Sequence, residues 1–193
     1  MNNNIFGFAL KELSQDAVIC WILNCVNYPD SELYGLGCDF FRAISKEEID
    51  RDQKILIYQQ KKNADIVVVI PSQRRIIIIE DKVYSTKHDD QINTYKNEFE
   101  KMAVQKGVLS IISDIPFDVS TVYLKTGFFY DADRLVKADF IVNGNTFYDI
   151  VSNPVYRNKS EILDDYADLF LEMNCQRKKR EQEEIFFLIA ECQ

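Results

Sequence analysis

The feature that most constrains this chain is a pair of segments, apolar on both faces and only four residues apart. Ala64–Ile70 and Arg75–Lys82 are dominated by Val and Ile, whose β-branched side chains favour pleated strands. Pro71, Ser72, Gln73 and Arg74 lie between them as turn residues. A half-buried strand alternates polar and apolar positions, so an apolar residue at nearly every position predicts central strands covered on both sides. With those four residues as the turn, Ile70 pairs with Arg75, and counting outward sets Asp65 directly opposite Glu80. Lys82, two residues past Glu80, points to the same face.

Two like charges opposed on an apolar hairpin are destabilising unless something compensates them. Lys82 supplies one positive charge. A divalent cation between Asp65 and Glu80 would supply two, and hard oxygen ligands suit Mg²⁺ or Mn²⁺. A buried Asp–Lys–Glu ion cluster and a hairpin slipped in register are the other two readings, and spacing alone leaves all three open.

Around the hairpin the chain alternates helix-like and strand-like pieces. Residues 8–26 read as helical, with Leu13, Ala17, Cys20 and Trp21 on one face. Ser14 as an N-cap gives a shorter alternative start, with Glu12 just ahead of its first turn. A loop with Gly35 and Gly37 leads to a short helix near Asp39–Ile44. Lys54–Gln60 is a strand, and Lys87–Lys106 is a helix through Ile92, Tyr95, Phe99, Met102 and Ala103. Strands at Ser120–Thr126 and Asp139–Val142 precede an amphipathic helix at Glu161–Met173. The tail then runs from Arg177–Arg180 through acidic residues into the apolar Ile185–Ile189, which reads as one more helix packed on the core or on a second copy of the chain. The order helix, three strands, helix, strand predicts an α/β fold, αβββαβ, with a central mixed β-sheet flanked by helices and followed by C-terminal helices. No Gly/Ser/Pro-rich linker precedes about residue 158, so residues 1–157 form one core and 158–193 a helical extension.

Composition narrows the function. The 193 residues are 47% hydrophobic and 28% charged, which excludes disorder as a description of the whole chain. Lys and Arg number 23 against 31 Asp and Glu, a net charge of −8. Such a chain is a poor non-specific nucleic-acid binder, so any nucleic-acid activity must rest on local basic residues or on metal ions. Arg51, Lys54, Lys61, Lys62, Arg74, Arg75 and Lys87 flank the hairpin as candidates for tracking a backbone, or as an ordinary solvated face. Five scattered cysteines with no CxxC pair and a single histidine, His88, argue against a structural zinc site. With no charged n-region before an apolar stretch and no apolar run of about 18 residues, the chain reads as cytoplasmic and reduced, with no membrane partner.

The charged positions together resemble the PD-(D/E)XK nuclease superfamily. Asp65, followed by Ile79-Glu80-Asp81-Lys82, stands as the acid and the acid-x-Lys pattern of its hairpin. Lys11-Glu12-Leu13-Ser14-Gln15-Asp16-Ala17 with Cys20-Trp21-Ile22-Leu23 looks like its amino-terminal helix, Gln91-Ile92 with Tyr95 like its Q-x-x-x-Y element, and Asp165-Tyr166 like its late helix, over about residues 5–170. One departure is Ala64, where the pattern has proline.

The resemblance implies a restriction-endonuclease-like core and a Mg²⁺- or Mn²⁺-dependent nuclease, a DNA endonuclease of a restriction, defence or repair setting. It implies that Asp65, Glu80 and the main-chain carbonyl of Asp81 ligate the metal and that Lys82 serves the attacking water and the phosphate. It also implies Glu12 as a further ligand, whose other reading is an exposed acid, and Gln91 near the phosphate at a helix amino-terminal end. Tyr95 reads as core, His88 as solvated, and Ser85 or Thr86 as a helix cap. The rival reading is an inactive nuclease-like binding module in which Asp65, Glu80 and Lys82 form an ion cluster, and a possible homodimer would form through the apolar tail.

Overall fold

The computed structural model describes residues 12–83, 91–100, 102–105, 108–111 and 116–191. In chain order the elements are α1 (Glu12–Asn24), α2 (Tyr34–Ser45), β1 (Leu56–Lys61), β2 (Ala64–Ile70), β3 (Arg75–Lys82), α3 (Gln91–Phe99), β4 (Met102–Gln105), β5 (Val108–Ile111), β6 (Asp118–Lys125), β7 (Phe140–Asn143), α4 (Gly144–Val151) and α5 (Glu161–Glu191). Five strands form one mixed sheet in the order β1-β2-β3-β6-β7, and β4 and β5 form a separate two-stranded sheet. β1, β2 and β3 run antiparallel, whereas β3, β6 and β7 run parallel.

The turn at Pro71–Gln73 is a single 3₁₀ turn closed by Arg74 at φ 51°. It pairs Ile70 with Arg75 and Ile66 with Ile79, the register the four-residue turn predicts. β2 and β3 are the buried centre of the sheet, and their alternating side chains feed two separate cores. On one face Ile66, Val68, Ile77 and Ile79 join α1, α2, α4 and α5 through Ile19, Phe40, Phe147 and Phe170. On the other, Val67, Val69, Ile76 and Ile78 join Tyr95 and Phe99 of α3 with Met102 and Phe117. The expected α/β architecture with a central mixed sheet is therefore the observed one.

Four elements differ from the sequence reading. The helix read at 87–106 is only α3, and the chain then enters the β4–β5 hairpin. Met102 reaches the same core as Phe99 from a strand, so the three-residue spacing persists without a helix. α2 starts five residues earlier than read, and the glycines assigned to a loop lie inside it. Gly37 sits where α2 meets the end of α1; a Cβ there would lie 2.8 Å from the Val26 nitrogen and 3.0 Å from the Ile22 oxygen. α4 was not read at all, although Asn143 caps it by accepting from the Thr146 amide at 3.0 Å. The two C-terminal helices are one continuous α5, and Leu163, Tyr166 and Phe170 of its first turns are buried in the larger core.

Candidate active site

The carboxyl end of β3 carries three charged residues in succession, and the pleat sends them to opposite faces of the sheet. Glu80 and Lys82 share the α3 face, while Asp81 turns toward α1. Lys82 Nζ lies 2.7 Å from Glu80 Oε1 and 3.3 Å from Asp65 Oδ2, so one ammonium bridges the two carboxylates set opposite each other by the hairpin register. All three side chains are largely shielded, Glu80 most of all at 4% exposure. Burial opposes the charge on Lys82, but its hydrogen bond to Glu80 and the charges of Glu80 and Asp65 outweigh that and hold its pKa above the ordinary lysine value.

The main chain of Asp81 ties this cluster together. Its N–H donates to Asp65 Oδ2 at 3.0 Å, and its carbonyl accepts from Lys82 Nζ at 3.1 Å. On the other face, Gln15 of α1 donates through Nε2 to both Asp81 carboxyl oxygens, at 2.8 and 2.6 Å, and to Thr126 Oγ1 at 2.8 Å. Burial, then the charge of Asp16, raises the Asp81 pKa well above the usual carboxylate range. The strand end is also fixed from β6, since the Thr126 N–H donates to the Lys82 carbonyl at 3.1 Å. Gly127 follows at a point where a Cβ would lie 2.0 Å from the Val83 oxygen, so only glycine fits against β3 there.

Asp16, which the sequence reading carried only as one residue of the amino-terminal helix and gave no role, belongs to this neighbourhood. It is 2% exposed, and its Oδ1 has no hydrogen-bond partner among the described residues. Burial, then the charge of Asp65, pushes its pKa from 3.8 to about 6, against hydrogen bonds from Gln60 and Gln59 and the charge of Lys82. Asp16 stands four residues after Glu12 on α1, the spacing of one helical face. The readable signal was a Gln-Asp pair inside an otherwise apolar helical run.

The other expected positions divide. Glu12 opens α1 and Gln91 opens α3, but their side chains lie outside the described residues, as do Ser85, Thr86, Lys87 and His88 altogether. Tyr95 is core, 6% exposed, with its hydroxyl donating to the Asn63 carbonyl at 2.9 Å. That bond steadies the β1–β2 turn, where Lys62 and Asn63 both have positive φ, two residues before Asp65. Several basic residues near the hairpin have local partners: Arg51 pairs with Asp30 at 2.8 Å, Arg75 is buried against Glu47, and Arg74 lies over the Phe117 ring.

Among the described residues no group of three His, Cys, Asp or Glu side chains is placed to hold a metal ion. The donor chemistry nevertheless fits a hard cation: two opposed carboxylates, a main-chain carbonyl beside them, and the buried Asp16 Oδ1, which has no hydrogen-bond partner among the described residues. Mg²⁺ is ordinarily held by one or two protein carboxylates, with water and substrate phosphate completing its shell. A sequence model of the PD-(D/E)XK nuclease superfamily matches residues 4–188. No curated protein and no solved structure matches the chain.

Proposed function

Since the chain belongs to the PD-(D/E)XK nuclease superfamily, we propose that it is a divalent-metal-dependent phosphodiesterase acting on nucleic acid, with DNA as substrate and endonucleolytic cleavage as the reaction. The observation that carries this reading is the single Lys82 ammonium held between the Asp65 and Glu80 carboxylates. Asp65, Glu80 and the Asp81 carbonyl would hold Mg²⁺ or Mn²⁺, with Asp16 or Glu12 as the further acid from α1. The bound ion would polarise the scissile phosphate and lower the pKa of a water bound to it. Lys82, an ammonium with three donors and no acceptor, would orient the attacking water and steady charge on the phosphate oxygens. Asp81 and Gln15 would hold β3 in place so that Glu80 and Lys82 keep their aim. Gln91, at the amino-terminal end of α3, would face the phosphate.

Further parts of the reading rest on composition and packing. We propose a cytoplasmic setting from the unpaired cysteines, since Cys20, Cys25, Cys38 and Cys175 form no disulfide. We assign residues 1–157 to the nuclease core and 158–193 to a helical extension, whose apolar end would pair two copies of the chain. No helix among the described residues is long and apolar enough to cross a membrane.

The test is calorimetry with Mn²⁺ on the wild type and on Glu80→Ala, followed by cleavage assays on DNA and RNA. Binding that is lost in the variant, with DNA cleaved only by the wild type, is the expected result. Wild-type protein that neither binds Mn²⁺ nor cleaves would favour the ion-cluster binding module.

A further inference from the structure

The charged cluster has too little positive charge of its own to hold a polynucleotide. Asp65 and Glu80 outnumber Lys82, the buried Asp16 is a further acid, and the whole chain carries a net charge of −8. A nucleic-acid backbone therefore needs cations at the rim of the cluster. We propose that the turn between β1 and β2 supplies them: Lys61 and Lys62 hold a backbone phosphate flanking the one to be cut, a contact without sequence preference. This deepens the nuclease reading above and rests on it.

Strand direction sorts the basic residues around the hairpin. Arg51 and Lys54 precede β1, and Arg74 and Arg75 lie where β3 begins, so all four stand at the sheet end away from Glu80 and Lys82. Arg51 is paired with Asp30, Arg75 with Glu47, and Lys54 donates to the Asn27 carbonyl. Lys61 ends β1 and Lys62 follows it, at the same end as Asp65, Glu80 and Lys82. Neither is in an ion pair with a described residue.

The face is the right one as well. Lys61 pairs with Ala64, which belongs to the α3-side core together with Tyr95. Its Nζ lies 5.7 Å from the centre of the Tyr58 ring, which packs against that same core. The Lys61 ammonium therefore stands on the face of Glu80 and Lys82. Tyr95 joins the turn to the cluster: its hydroxyl donates to the Asn63 carbonyl at 2.9 Å, and burial, then the charges of Glu80 and Asp65, raise its pKa. β1 is two strands from β3, about 10 Å at the usual spacing. That is too far for one phosphate to touch both Lys61 and Lys82, and near enough for a flanking one.

The backbone supplies an independent observation. Lys62 and Asn63 have φ of 52° and 67°, so both central residues of this two-residue hairpin turn are left-handed. Such turns favour Asn, Asp and Gly, and Asn63 conforms. Lys62 does not, and a residue kept in a disfavoured conformation points to a use for its side chain. Lysines also guard edge strands against pairing, and β1 is an edge strand. Lys62 lies beyond the last paired residue, Lys61, and guards no strand.

The experiment measures binding of short fluorescein-labelled DNA, single- and double-stranded, by anisotropy from about 50 to 200 mM NaCl, in EDTA and again in Ca²⁺. In the full chain carrying Lys61→Gln and Lys62→Asn, the slope of log K against log salt should become shallower by about 1.4–1.8. The variant's deficit should then be about 10-fold larger at the low-salt end than at the high-salt end, with Mn²⁺ affinity by calorimetry unchanged. Lys62→Asn alone should raise the urea midpoint while weakening DNA binding, because Asn tolerates the left-handed turn; a merely structural lysine would move both the same way. An unchanged slope overturns the proposal, as does wild-type protein that binds no DNA. A drop seen only on neutralising the exposed Lys178 and Lys179 of α5 overturns it too. DNA held through the turn but never cut in Mn²⁺ would refute the nuclease reading and keep the clamp, whereas cleavage with an unchanged slope would do the reverse.

Discussion

Replacing Asp16 by asparagine should stabilise the metal-free protein, and by an amount that depends on pH in a calculable way. Asp16 is 2% exposed and faces the charge of Asp65; burial first, then that charge, raises its pKa from 3.8 to about 6. A carboxyl that holds its proton more tightly in the folded state than in the unfolded one makes stability fall as pH rises from its ordinary pKa towards its raised one. The shift of about 2 units, at about 1.4 kcal/mol per unit, corresponds to about 3 kcal/mol lost by pH 7.5. At pH 5 only about 1.6 kcal/mol of that loss has accrued. The change Asp16→Asn keeps the size of the side chain and offers an amide to Gln59 and Gln60 without the charge. The variant's advantage over wild type should therefore grow by about 1.4 kcal/mol between pH 5 and pH 7.5, read from urea midpoints with EDTA present. Mn²⁺ should narrow the gap, because the cation offsets the additional charge of Asp16, which only the wild type carries. A variant less stable than wild type at both pH values, with no change in the difference, would show that Asp16 is not held against burial.

Three further outcomes follow from single contacts. Lys82→Met leaves Asp65 and Glu80 facing each other without their bridging ammonium, and should lower stability by about 3 kcal/mol in urea titrations and abolish any nuclease activity. Gly127→Ala would put a methyl 2.0 Å from the Val83 oxygen, so β3 and the segment after β6 must separate; differential scanning calorimetry should show a Tm lower by roughly 6–12 °C. Burial drives the Cys20 thiol up to about 12, with help from Asp16, and the Cys25 thiol to about 11, whereas Cys175 is exposed. Iodoacetamide at pH 8 should therefore modify Cys175 well before either, with peptide mass spectrometry as the readout.

The hairpin was legible because its information is local. Apolar runs on either side of the turn Pro71–Arg74, read with a period of two, fix both the register and the face on which Asp65, Glu80 and Lys82 meet. The helix boundaries were not legible, because tertiary contacts decide them. Gly35 and Gly37 read as a loop by propensity, yet Gly37 lies inside α2 because only a residue without a side chain lets α2 approach the Ile22 and Val26 backbone so closely. Phe99 and Met102 hold one core position each whether the chain between them is helical or reverses, so their spacing could not report that α3 ends there. Gln15 was hidden for another reason: its partners Asp81 and Thr126 are 66 and 111 residues away, and no local pattern announces a bond over that distance.

That distant bond bears on how such a site can be both charged and ordered. β3 ends in acid, acid, lysine, and a strand cannot place three such neighbours on one face. Alternation sends Glu80 and Lys82 to the α3 side and strands the Asp81 carboxyl in the opposite core, where its burial would be strongly unfavourable without a donor. Gln15 supplies the donor, and in doing so fastens α1 to the one residue whose N–H and carbonyl also contact Asp65 and Lys82. The buried polar group thus fixes where β3 stops relative to α1, and with it where Asp16 stands relative to Asp65. An apolar residue at position 81 would remove the burial problem and the alignment together, so the acid between Glu80 and Lys82 is explained by what it holds on the far side of the sheet.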